Sequence, residues 1–197
     1  MKQFLYHICY ALLRAAMFFV HPVLRVRGRE YLPEGAAVIC PNHSALSDPI
    51  WLIFAMRPKS MPHIMAKKEL STVPFIGGLL RWLGVIFINR AAADVGAIKA
   101  SLAVLKQNQP LVIFPEGTRV KPGKEVEPHT GSALLASRTD APLVPVYITR
   151  NKRFLGPIDV NFGEPFDVLR AGAKATGGEL QAATEQLMTR IYALEEP

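Results

Sequence analysis

The stretch AAVICPNHSALSDPIWL, residues 36–52, holds three local patterns in a row. Ala37–Cys40 is a short apolar run and reads as a buried strand. Pro41 to Ser47 are turn-forming or small residues and read as a loop. An apolar helical pattern then runs from Pro49 to Met56. Asp48 before Pro49 suits an N-cap, with proline at the first helical position. A strand feeding a helix through a polar loop is the unit of an α/β fold. This loop also carries His43 and, five residues later, Asp48.

The same alternation extends outward. Strands are expected at Val23–Val26, Ala37–Cys40, His63–Ala66, Val85–Ile88, Leu111–Phe114, Leu143–Ile148 and Ile158–Phe162. Helices are expected at Pro49–Met56, Phe75–Leu83, Ala92–Gln107, Ser132–Arg138 and about Glu179–Leu194. Strands alternating with helices argue for an α/β sandwich. No repeat, low-complexity tract or linker divides the chain. The 197 residues fit one catalytic-size domain, 23–197, preceded by a helix in 1–22.

Half of the residues are hydrophobic, which excludes a disordered chain. The 23 basic and 16 acidic residues leave a formal charge of +7, which suits an anionic partner. The excess sits in the N-terminal half: Lys2, Arg14, Arg25, Arg27 and Arg29 are opposed by no acid through residue 29. No nucleic-acid motif accompanies it. Cys9 and Cys40 form no metal or disulfide pattern.

Residues 3–20, QFLYHICYALLRAAMFFV, are mostly apolar. Gln3, His7, Tyr10 and Arg14 recur at intervals of 4, 3 and 4, which places them on one helical stripe. Such a helix suits a membrane interface, with its stripe facing headgroups or protein; the plain alternative is a buried helix covering the domain's own core. A spanning helix would carry Arg14 near its middle, at about 2.5–3.5 kcal/mol. A signal peptide would have its apolar region interrupted by Arg14.

In α/β folds, polar residues just beyond strand ends build the site. His43 and Asp48 stand beyond one strand, Asn89 and Arg90 beyond another, and PEGTR (115–119) beyond a third. A histidine moves protons near neutral pH when a partner fixes its tautomer, and Asp48 is placed to do so. Ser44 or Ser47 as nucleophile would lack the G-x-S-x-G elbow. In PEGTR, Gly117 allows close backbone approach, Thr118 offers a donor, and Arg119 suits bidentate phosphate binding. Glu116 can accept from a hydroxyl or hold Arg119 or Arg90. Lys67 adds a further cation at a strand end.

The motifs NHSALSD (42–48), GVIFINR (84–90), FPEGTR (114–119) and VPV (144–146) stand in this order, with AKKEL (66–70) between the first two. With them the chain resembles the 1-acyl-sn-glycerol-3-phosphate acyltransferases of the glycerolipid acyltransferase superfamily. The resemblance implies a mixed sheet flanked by helices, glycerol-phosphate acyltransferase-like, with an N-terminal membrane-associated amphipathic helix. It implies His43 as general base and Asp48 as its orienter. It implies an acceptor site formed by Arg90, Glu116, Gly117, Thr118, Arg119, Asn42 and Lys67, with Asn42 shaping the first loop. Pro145 would fix the last strand near the site. Relatives often carry a basic residue where this chain has His129-Thr130.

The expected reaction moves a fatty acyl group from acyl-CoA or acyl carrier protein to the free hydroxyl of 1-acylglycerol 3-phosphate, giving phosphatidic acid. No metal, cofactor or covalent enzyme intermediate is required. Other lysophospholipid or glycerol-phosphate acceptors are the alternative, then hydrolysis of a lipid or thioester. The cytoplasmic face of a membrane is the expected location. VPFIGGLLRWLG (73–84) reads as the lining of an acyl channel or as a core helix.

Overall fold

The computed structural model describes residues 2–58, 62–89, 94–121, 123–124, 126–168 and 175–195. Seven strands form one mixed sheet: β1 (Leu24–Arg27), β2 (Val38–Pro41), β3 (His63–Lys67), β4 (Ile86–Ile88), β5 (Leu111–Val112), β6 (Leu143–Ile148) and β7 (Ile158–Phe162). Their order is β1-β7-β6-β2-β5-β3-β4. All neighbours are parallel except β6 and β7, which run antiparallel with Val146 opposite Phe162. In the centre, Val38 pairs with both Leu111 and Leu143, and Ile39 with Val112 and Val144.

Alternation along the strands supplies two cores. Ile39, Val112, Val144, Val146 and Ile148 point to one face, against Trp51, Leu52 and Phe54 of helix α2 (Asp48–Met56). Val38, Cys40, Leu111 and Leu143 point to the other. That face is covered by α4 (Val95–Lys106), α5 (Gly131–Thr139) and α6 (Gly177–Ala193). They contribute Val104 and Leu105, Leu135, and Leu187 and Ile191 respectively. Both faces are covered, so β2 and β6 are buried along their whole lengths, as parallel strands usually are. Thr176 and Glu179 close a capping box at the start of α6.

Helix α1 (Lys2–Phe18) meets Phe54 of α2 through Tyr10 and Arg14. Tyr10 meets Phe54 edge-on at 5.1 Å, and the Arg14 guanidinium lies 5.4 Å from the same ring. Tyr6 is buried as well, one helical turn away. The apolar side chains Phe4, Ile8, Leu12 and Phe18 are exposed instead. So Tyr10 and Arg14 of the stripe face protein, His7 is exposed, and several apolar side chains are left outward. No helix among the described residues is long and apolar enough to cross a membrane.

Helix α3 (Ile76–Trp82) does not behave as a core helix: Gly77 is its only buried residue, while Ile76, Leu79 and the preceding Phe75 are exposed. Two short 3-10 turns, Arg29–Tyr31 and Lys68–Thr72, add elements that hydrophobic periodicity does not reveal. The start of α2 also differs from expectation. Ser47 occupies the N-cap position and Asp48 is already helical, so Asp48 makes no cap. Its carboxylate turns back into the preceding loop.

Candidate active site

The carboxyl ends of β2, β3, β4, β5 and β6 share one edge of the sheet, because these strands are mutually parallel. At that edge the β2–α2 loop closes tightly on Asp48. Asp48 Oδ2 accepts from Ser44 N–H at 2.6 Å, from Ala45 N–H at 2.7 Å and from His43 Nδ1 at 2.9 Å. The Asp48 side chain is wholly buried, while His43 keeps 16% of its side-chain surface. With Nδ1 donating to the carboxylate, Nε2 is the nitrogen without a partner among the described residues, the arrangement of an oriented base. The ring rests on Phe114 with centroids 4.3 Å apart.

A second charge completes the Asp48 environment. Lys152, in the loop after β6, places Nζ 2.6 Å from Asp48 Oδ1. Burial pushes the Asp48 carboxyl up, but the His43 hydrogen bond, the Lys152 charge and the Ala45 amide together hold it below the usual value. Sequence reading missed Lys152. The rule that sites form beyond strand ends applied equally to the loop after LVPVYI (143–148), and was the signal available.

The PEGTR turn is bolted to the same loop. Glu116 Oε2 accepts from His43 N–H at 2.6 Å, and Val120 N–H donates to His43 C=O at 2.7 Å. Glu116 Oε1 accepts from the Tyr192 hydroxyl of α6. Burial raises the Glu116 carboxyl above its usual value, against the opposing pull of Tyr192 and the His43 amide. Behind them Arg150 lies 5.0 Å from the Tyr192 ring and pairs with Glu195 at 2.9 Å. Gly117 has φ 63°, and a Cβ there would fall 2.4 Å from the His129 ring, so glycine is needed for conformation and for space. Thr118 and Arg119 are exposed on the outer side of the turn.

Two residues expected at the acceptor site are buried and bonded to the protein. Glu116 is 2% exposed and both its oxygens are occupied by the protein, so it braces the His43 loop instead of meeting a ligand. Asn42 is 1% exposed; its Nδ2 donates to Ile148 C=O at 3.0 Å and its Oδ1 accepts from Ile148 N–H at 2.7 Å. Asn42 therefore extends the β2–β6 ladder by a side-chain rung. Lys67 ends β3 on the same edge, two strands or about 10 Å from β2. Its ammonium pairs with Glu69 at 2.9 Å and remains half-exposed. Arg90 lies outside the described residues. Pro145 sits within β6 opposite Cys40.

A histidine oriented by a buried carboxylate, next to a turn that exposes an arginine and a threonine, can deprotonate a hydroxyl carried by an anionic molecule. Comparison with known proteins points the same way. The Acyltransferase family model matches residues 23–149. The chain belongs to this family. The 1-acyl-sn-glycerol-3-phosphate acyltransferase of Bacillus subtilis is 31% identical over 178 residues, covering 87% of this chain and 88% of that protein. The protein of the same description from Borreliella burgdorferi is 35% identical over 136 residues. That match covers 66% of this chain, which spans about half (52%) of the relative's length. The crystal structure of the 1-acyl-sn-glycerophosphate acyltransferase PlsC from Thermotoga maritima superposes with a TM-score of 0.65 at 26% identity. It covers 88% of this chain and 71% of that one.

Proposed function

We propose that the protein transfers a fatty acyl group from an acyl thioester to the free hydroxyl of 1-acylglycerol 3-phosphate, forming phosphatidic acid. The observation that carries this reading is the His43–Asp48 pair with Nε2 open, beside the exposed Thr118 and Arg119. The family and the descriptions of its relatives support the acceptor.

The acceptor hydroxyl approaches His43 Nε2. As its oxygen attacks the thioester carbonyl, the proton passes to Nε2, and the Nδ1–H···Asp48 bond stabilises the imidazolium. Donors beside the loop steady the oxyanion. The tetrahedral intermediate collapses by breaking the C–S bond. The leaving thiolate takes the proton back from His43, so the enzyme ends as it began. Arg119, Thr118 and the Gly117 backbone hold the phosphate, Lys67 adds positive charge at the same sheet edge, and Arg90 joins them on the strength of its motif GVIFINR. Glu116 and Asn42 keep the loops in place. The donor is acyl-CoA or acyl carrier protein, both acidic partners for a chain of charge +7.

The substrates are membrane lipids, and α1 supports work at a bilayer surface. Tyr10 and Arg14 are spent on α2, while Phe4, Ile8 and Leu12 are exposed, as in an interfacial helix. The basic residues on the N-terminal segment fit the anionic cytoplasmic leaflet. Phe75, Ile76 and Leu79 form a further exposed apolar stretch for acyl chains.

The test is thiol release from acyl-CoA by the purified protein in detergent, with and without 1-acylglycerol 3-phosphate. Release that requires the acceptor and yields phosphatidic acid is the expected result. Release independent of acceptor would identify a thioesterase.

A further inference from the structure

We propose that Lys152 is a positioning residue of the site, fixing the Asp48 carboxylate and setting the pH range in which His43 serves as base. The kinetic half of this proposal rests on the acyl-transfer reading. The geometric half stands alone.

The Lys152 ammonium donates two hydrogen bonds and makes one ion pair. Nζ lies 2.6 Å from Asp48 Oδ1 and 3.2 Å from Ser44 Oγ, and it donates to Thr149 C=O. The side chain is 8% exposed, so this cation is spent on the protein and is not offered to a substrate. Asp48 Oδ2 already serves His43 and two amides, which leaves Oδ1 to Lys152 alone. The two sets of contacts pull on opposite oxygens and fix the rotation of the carboxylate. That rotation aims Oδ2 at His43 Nδ1.

The loop that carries Lys152 is pinned at both ends. Thr149 N–H donates to Asp159 C=O at 3.0 Å, and Asp159 N–H donates to Thr149 Oγ1 at 2.8 Å. Farther along, Leu155 N–H donates to Val20 C=O at 2.9 Å, and His21 Nδ1 lies 3.0 Å from Gly156 C=O. A long side chain pays less ordering entropy when its backbone is already fixed.

The charge has a second effect. A buried carboxylate alone would strongly favour the imidazolium over the neutral ring. An ammonium on the far oxygen offsets part of the carboxylate's field at the ring. Among the described residues the other charged or titratable groups near the His43 loop are Glu116, which holds its amide, Tyr192 and Arg150 behind Glu116, and Arg119 and His129 on the PEGTR turn. None of these touches the imidazole, so Lys152 is the cation whose removal acts through Asp48.

The experiment follows the ring directly. The full chain, labelled with 15N-histidine in detergent micelles, is titrated by NMR as wild type, Lys152→Met and Lys152→Arg, with His43→Ala assigning the resonance. The His43 midpoint is expected to rise by about one pH unit or more in Lys152→Met and to stay near wild type in Lys152→Arg. The acid limb of kcat/KM for acyl transfer is expected to move the same way. Should Lys152→Met not fold, Lys152→Gln keeps the hydrogen-bond donors, removes the charge and carries the same expectation. An unmoved midpoint, with activity lowered equally at every pH, would overturn the proposal and leave Lys152 a purely structural residue. A moved midpoint in a chain without acyl-transfer activity would instead refute the acyl-transfer reading.

Discussion

His43 is held from three sides by different parts of the chain. Asp48 takes Nδ1, Glu116 takes the backbone N–H, and Val120 donates to the backbone C=O. This explains why a turn far away in sequence is bound up with the histidine: its glutamate is the socket for the His43 loop. From the letters alone Glu116 suits a ligand contact, since burial and partner choice depend on tertiary structure. Glu116→Ala leaves the His43 amide unpaired, so we expect a loss of about 1–3 kcal/mol in unfolding free energy. We also expect a fall in kcat with little change in acceptor KM. Denaturant unfolding and steady-state kinetics check this; a raised KM with unchanged stability would return Glu116 to the acceptor site. The His43–Asp48 spacing itself was legible, because a short loop brings the two together with no help from the rest of the fold. Asp48 as a helix cap was misread for a related reason: three donors within the loop outcompete the helix terminus for its oxygen.

Elements were legible where apolar runs are short and bounded. All seven strands appear where the sequence places them, within a residue or two at their ends. Helix α1 shows a limit of the reading. The polar stripe was visible in the spacing, but only packing shows that Tyr10 and Arg14 turn toward Phe54. That orientation makes a sharp prediction. Leu12 is 67% exposed, so Leu12→Glu is expected to leave thermal stability nearly unchanged. In flotation with anionic vesicles it should lose about tenfold or more of its binding, since a buried leucine contributes about 1.5–3 kcal/mol. Unchanged flotation would mean that α1 does not meet the membrane by this face. Helix α6 belongs to the site in a way its amphipathic pattern cannot reveal: Tyr192 reaches Glu116 across 76 residues of sequence.

For the whole molecule, alternation of strands and helices sets the α/β class, whereas the strand order does not follow from local pattern. The order brings β2 between β5 and β6. Three loops that carry His43, Glu116 and Lys152 thereby meet at one edge. The antiparallel β7 follows β6 through the loop 149–157, pinned by Thr149 and Asp159, and that loop delivers Lys152 to Asp48. The account stands on His43 as the base. The most direct test compares wild type with His43→Ala in phosphatidic acid formation from acyl-CoA and 1-acylglycerol 3-phosphate, with vesicle binding and thermal unfolding measured on the same preparations. The account predicts a loss of about 10²–10⁴-fold in kcat with binding and folding retained. Product formation at the wild-type rate by a folded His43→Ala protein would contradict it.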